Sequence, residues 1–141
     1  MLFLLDTNIV SEAWKVRPNA AVEQWMQENG EDSMLSVITL AELTYGLHLL
    51  PFSKRRARLQ RQIEFLREDF ADAIAPFDLS EAMTWGEYSA EVTADRGKQW
   101  WTARTIRDSA LAATARAWAL TVVTRDVGHF PFVPTLNPFA T

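Results

Sequence analysis

The 141-residue sequence contains no cysteine, which removes disulfides, thiol nucleophiles and zinc–thiolate sites from consideration. That absence fits a reducing compartment, and the expected setting is the cytoplasm. No apolar run approaches the roughly 20 residues that cross a bilayer as a helix, so no membrane association is expected. The opening Met1–Asp6 is apolar but short, has no basic region and meets a charge at Asp6, so it does not read as a signal peptide. An excess of positive charge is also missing: the net charge is −4, with 14 Lys and Arg against 18 Asp and Glu. A protein that only coats nucleic acid is usually basic; a nuclease need not be, because carboxylates collected at a metal site count against it. No internal repeat, linker or low-complexity tract is visible. What is present is an ordinary globular balance, 48% hydrophobic and 23% charged, over a length that suits one domain spanning 1–141 with its own core.

Short apolar runs alternate with longer segments of helical period. Leu2–Leu5 has no polar break, as in a strand buried on both faces. Asn8–Trp14 and Ala20–Glu28 read as helices parted by Arg17-Pro18-Asn19. Met34–Val37 is a second strand, followed by a helix over Thr39–Leu50 that Pro51 closes. Ser53–Phe70 carries Leu59, Ile63, Leu66 and Phe70 on one helical face, with a basic run from Lys54 to Arg61 in its first half. Ala73–Phe77 is a weaker strand, Glu81–Asp95 a helix, and Thr105–Leu120 an alanine-rich helix suited to close packing on a sheet. Thr121–Thr124 and Val133–Leu136 complete the set. Strands alternating with helices predict an α/β protein with a parallel sheet covered on both faces.

In an open sheet of this kind, ligands bind beyond the carboxyl ends of the strands, and acids recur there. Asp6 ends the first strand and Asp126 follows the fourth. Glu42 lies one turn into the helix after the second strand, and Asp108 falls in the first turn of the alanine-rich helix. Each has an ordinary explanation taken alone. Asp6 could be a helix N-cap, Glu42 a helix-surface acid, Asp108 a complement to a helix dipole, and Asp126 a turn residue before Gly128. The functional argument is that all four occur at matching ends. Converging carboxylates would repel, and one or more would take up a proton unless a cation neutralised them. The motifs hold no nearby lysine for that task. A hard divalent ion, Mg2+ or Mn2+, suits a site of carboxylates and water, and phosphodiester hydrolysis by activated water is the reaction class that follows.

The residues Leu4-Leu5-Asp6-Thr7-Asn8, the pattern Ser-x-x-Thr-x-x-Glu-Leu-x-x-Gly over Ser36–Gly46, Asp-x-x-x-Ala-Ala-x-Ala over Asp108–Ala115, and Val-Thr-Arg-Asp over Val123–Asp126 resemble the PIN-domain toxins of the VapBC type. The ending Leu136-Asn137-Pro138-Phe139 is similar to the tails of that family. The motifs are short; their order and spacing, from Met1 to about Pro138, carry the resemblance. It implies a PIN-like three-layer α/β/α sandwich with a central parallel sheet of about five strands. It implies that Asp6, Glu42, Asp108 and Asp126 bind metal, with Thr7, Asn8, Ser36 and Thr124 lining the site. It further implies a metal-dependent endoribonuclease, the toxin of a type II toxin–antitoxin system, that cleaves tRNA or rRNA, forms a homodimer and is silenced by a cognate antitoxin. Two departures stand out. Many relatives carry a further acid where this chain has His129, and the stretch from Lys98 to Arg107, with Trp100 and Trp101, is longer than usual.

Several residues keep two readings. Arg104 and Arg107 could hold phosphate or pair with acids. His129, close to Asp126 in sequence, could ligate metal, touch phosphate or do neither. The Lys54–Arg61 run could grip RNA or form a solvated helix face. Trp100 and Trp101 could stack on bases or pack within the protein. A haloacid-dehalogenase-type phosphatase also begins with an Asp after a strand, but it wants a second Asp where this chain has Asn8. The remaining alternative is a catalytically inactive PIN-like binding module acting through protein or RNA contacts.

Overall fold

A computed structural model describes residues 1–139. Five strands form one sheet: β1 (Phe3–Leu5), β2 (Ser33–Ser36), β3 (Ile74–Ala75), β4 (Thr121–Val123) and β5 (Thr135–Leu136). Their order is β3-β2-β1-β4-β5 and every pairing is parallel. Six α-helices join and cover them: α1 (Thr7–Glu12), α2 (Ala20–Asn29), α3 (Val37–Leu49), α4 (Lys54–Asp69), α5 (Leu79–Arg96) and α6 (Ala103–Trp118). Leu4 and Leu5 point to opposite faces of the sheet, and both are fully buried. Burial on both faces is the signature of an α/β/α sandwich. The expected α/β class and the parallel sheet of five strands are what the chain adopts.

Register positions the site. Leu5 at the end of β1 lies level with Leu35 of β2 and with Val123 of β4. The residues that follow these strands therefore leave the sheet along one edge. The chain builds β2 and β3 on one side of β1, then crosses to build β4 and β5 on the other. The gap between β1 and β4 is thus a point where strand order reverses, the usual place for a ligand crevice in such sheets.

Helix α6 presses closely on this framework because its inner face is made of small residues. Ala112, Ala113 and Ala115 are completely buried. No room remains for added methylenes, so Ala112→Leu should destabilise the fold by about 1–3 kcal/mol. Thermal denaturation beside an exposed control such as Ala57→Leu on α4 would check this. Helix α6 starts two residues earlier than its sequence pattern predicts. Thr102 accepts from the Thr105 N–H at 3.2 Å while the Thr105 hydroxyl accepts from the Thr102 N–H at 2.8 Å, a reciprocal cap. Asp108 accordingly falls in the second turn, not the first.

The tail after β4 divides. Phe130 enters the core, whereas Phe132 stays half exposed, with a left-handed φ of 63°. That conformation is held by Tyr88, whose hydroxyl donates to the Pro131 carbonyl at 2.8 Å, and by Arg116 on the Phe132 carbonyl at 3.2 Å. Trp101 donates its indole N–H to Thr93 on α5 at 2.8 Å, and Arg96 stacks over Trp100 at 4.6 Å. Both tryptophans pack partly against the core, so the long stretch before α6 is fastened to α5.

Candidate active site

Asp6 is at the centre of the arrangement. It caps α1, its Oδ1 accepting from the Thr7 N–H at 2.7 Å. Its Oδ2 accepts from the Thr124 hydroxyl at 2.7 Å and from Asn8 Nδ2 at 3.3 Å. The cap and the site position are therefore one residue with two duties. Burial holds the Asp6 carboxyl above the ordinary aspartate range; the bonds from Thr124 and Thr7 pull it down, and the charges of Glu42 and Asp126 push it up further.

The other acids gather round it from separate elements. Glu42, on α3, accepts the Thr7 hydroxyl at 2.9 Å. Asp126, after β4, accepts from the same Asn8 amide at 3.2 Å, so Asn8 bridges Asp6 and Asp126. Asp108, on α6, is buried, with its Oδ2 3.0 Å from His129 Nδ1 and 3.7 Å from Arg104 Nε. Burial first, and then the Asp6 charge, push the Asp108 carboxyl up to about 6 against the pull of Arg104 and His129. Arg104 also pairs through Nη2 with Asp126.

A cavity of about 250 Å³ opens here, lined by Asp6, Thr7, Asn8, Ser11, Glu42, Arg104, Arg107 and Asp108. Three of the four acids singled out in the sequence share its wall, and the fourth, Asp126, adjoins through Asn8 and Arg104. Thr7, Asn8 and Arg104 stand where the sequence pattern placed them. Ser36 does not: it is fully buried and caps α3, accepting from the Ile38 N–H at 3.0 Å. Thr124, also fully buried, lies behind the cavity, donating to Asp6 and accepting from the Asp126 N–H at 2.9 Å. His129 meets Asp108 across 21 residues of sequence. Ser11, which no sequence motif marks, also lines the cavity, one helical turn after Thr7 and so on the same face of α1.

Among the described residues, no group of three or more His, Asp or Glu side chains is placed so that it could hold a metal ion as it stands. The donors on the cavity wall suit a hard divalent ion in kind, being oxygens of carboxylates, an amide and hydroxyls. No lysine among the described residues stands at these acids, but Arg104, for which pairing with acids is one of the two readings, meets Asp108 and Asp126. An apolar groove of about 670 Å³ adjoins the cavity, with Tyr45, Trp85 and Ile106 in its wall, and the two share Glu42 and Arg107.

This acid-lined crevice at the reversal of a five-stranded parallel sheet is that of a PIN domain. Residues 3–131 match the family described as PIN domain, and the chain belongs to that family. It is 36% identical over 131 residues to the VapC ribonuclease Y4jK of Sinorhizobium fredii, covering 92% of this chain and 90% of that protein. It is 37% identical over 142 residues to Toxin FitB of Neisseria gonorrhoeae, covering 98% and 99%. The crystal structure of FitAcB from Neisseria gonorrhoeae superposes with a TM-score of 0.85 at 36% identity, over 99% of this chain and all of that one. Among the described residues no helix is long and apolar enough to cross a membrane.

Proposed function

We propose that this protein is a divalent-metal-dependent endoribonuclease, a single PIN domain over 1–141 that serves as the toxin of a type II toxin–antitoxin pair. The observation that carries the reading is the meeting, around buried Asp6, of carboxylates that come from four distant stretches of chain. Burying two of them, Asp6 and Asp108, close to two further acids is unfavourable for folding alone. It makes sense when the acids serve a cation and a substrate. The names of the ribonuclease and toxin relatives support the same reading.

Asp6, Glu42, Asp108 and Asp126 would hold the ion, Mg2+ or Mn2+. When bound, it would supply positive charge to a phosphoryl oxygen and make water a better nucleophile at neutral pH. The chain's own residues set the geometry. Asn8 fixes Asp6 and Asp126 relative to each other, Thr7 holds Glu42, and Thr124 holds Asp6 from behind. Arg107 and Arg104 at the cavity wall can take the negative charge of an RNA backbone. His129, bonded to Asp108, orients that carboxylate.

The resemblance to VapC-type toxins supports a cognate antitoxin, a homodimer and a cytoplasmic setting. The apolar groove with exposed Tyr45 and Ile106 gives a protein partner something to cover. Purified protein incubated with total RNA should cleave it in Mg2+ and stop when the ion is chelated. With water attacking phosphorus and O3′ leaving, the new ends should carry a 3′-hydroxyl and a 5′-phosphate. A 2′,3′-cyclic phosphate would point instead to attack by the neighbouring 2′-hydroxyl. Absence of ion-dependent cleavage would leave the non-catalytic binding module. Expression without an antitoxin should arrest growth, and harmless accumulation of active enzyme would remove the toxin role while leaving the nuclease.

A further inference from the structure

Arg104 lies in the first turn of α6, four residues before Asp108, so the two side chains share a helix face. Its Nε is 3.7 Å from Asp108 Oδ2, and its Nη2 pairs with Asp126 Oδ2. One guanidinium therefore spans two acids that arrive from different elements, α6 and the segment after β4. A planar fork of donors is suited to bridging two carboxylates in this way. Both of the oxygens it engages belong to the set assigned above to a divalent ion.

We propose that Arg104 is an internal counter-ion that competes with the divalent cation for Asp108 and Asp126, and so sets the ion concentration at which the site loads. The inference rests on the metal-dependent reading. A carboxylate oxygen directed at a guanidinium offers less charge to a second cation, and two like charges at one acid repel. Arg104 can give way without disturbing the fold. Its side chain is 54% exposed, whereas that of Asp108 beneath it is 8% exposed. An exposed ion pair is weak, so the competition is a bias that ordinary ion concentrations overcome, not a block.

Arg107 provides the control. It lines the same cavity and adds the same charge to its wall, yet among the described residues no ion pair joins it to a carboxylate. Contact competition and general charge repulsion can therefore be separated. The experiment is calorimetric titration of the purified full-length chain with Mn2+ at neutral pH, with folding of each variant checked by circular dichroism. Arg104→Gln should bind Mn2+ about fivefold more tightly than wild type, Arg107→Gln less than about twofold more tightly. Arg104→Lys, which keeps the charge but loses the fork, should fall between wild type and Arg104→Gln. Equal or weaker binding by Arg104→Gln would overturn the inference, as would an equal gain in Arg107→Gln. If neither wild type nor any variant binds Mn2+, the metal-dependent reading fails and this inference with it.

Discussion

Asp6→Asn should reduce RNA cleavage by at least about 10²–10³-fold while the protein remains folded. The substitution keeps size and shape and removes one negative charge. Asparagine is as good an N-cap as aspartate, so the bond from the Thr7 N–H to the side-chain oxygen can survive. What changes is Oδ2, which accepts from both Thr124 and Asn8. An amide NH2 at that place faces two donors; the Thr124 hydroxyl can turn and accept through its second lone pair, beside the Asp126 N–H, but the Asn8 NH2 cannot accept. Asn8 must therefore turn, and its link to Asp126 loosens with it. The loss of charge works the other way for stability, since burial already disfavours the ionised carboxyl. Single-turnover cleavage alongside a thermal melt checks both parts. Cleavage retained near the wild-type rate would count heavily against the role assigned to Asp6.

Asp108→Asn should make the chelator-treated protein more stable at neutral pH even as it removes activity. The Asp108 carboxyl titrates at about 6, above its ordinary value of 3.8, because it is buried and stands near Asp6. An acid whose pKa rises on folding favours the fold in its protonated form. Its contribution is complete below the unfolded value, near 4, and is lost as pH climbs through about 6. At neutral pH the wild type therefore holds a charge that weakens it, and the amide does not. Water reaching the cavity mouth reduces the effect to roughly 1 kcal/mol, or about 4 °C in melting temperature for a chain of this length. The difference should shrink as pH falls below about 6 and vanish by about pH 3, below the unfolded value, where the carboxyl is protonated in both folded and unfolded chains. Adding Mg2+ should raise the wild-type melting temperature more than that of Asp108→Asn. A variant that melts below wild type at neutral pH would show that the bonds to His129 and Arg104 outweigh the burial of charge.

Local chemistry explains which parts of this structure could be read from the residues in order. Leu2–Leu5 signalled a strand covered on both faces because neither face is polar, and Asp6 then had to emerge at the edge where crevices form. Asp6 and Asp126 are legible because each directly follows a strand and Glu42 because it lies in the helix after one, whereas Asp108 sits in α6, far from any preceding strand, and is marked only by its helix. Boundaries were less legible. The start of α6 depends on a reciprocal bond between Thr102 and Thr105, which competes with the visible pattern beginning at Thr105. Partnerships were least legible. The contacts of His129 with Asp108 and of Arg104 with Asp126 join residues 21 and 22 positions apart through the packing of α6 against the β4 end. No local pattern encodes such a meeting. Ser36 shows the opposite limit: a hydroxyl in the same motif as Glu42 reads as a site residue, but it is fully buried and caps α3.

The outermost strands, Ile74–Ala75 and Thr135–Leu136, are only two residues long. Each leaves almost no open ladder of amides and carbonyls for a foreign chain to extend. Fibril-like stacking through sheet borders is therefore disfavoured by construction. Higher assembly is left to helix faces and side chains, where association can be reversed.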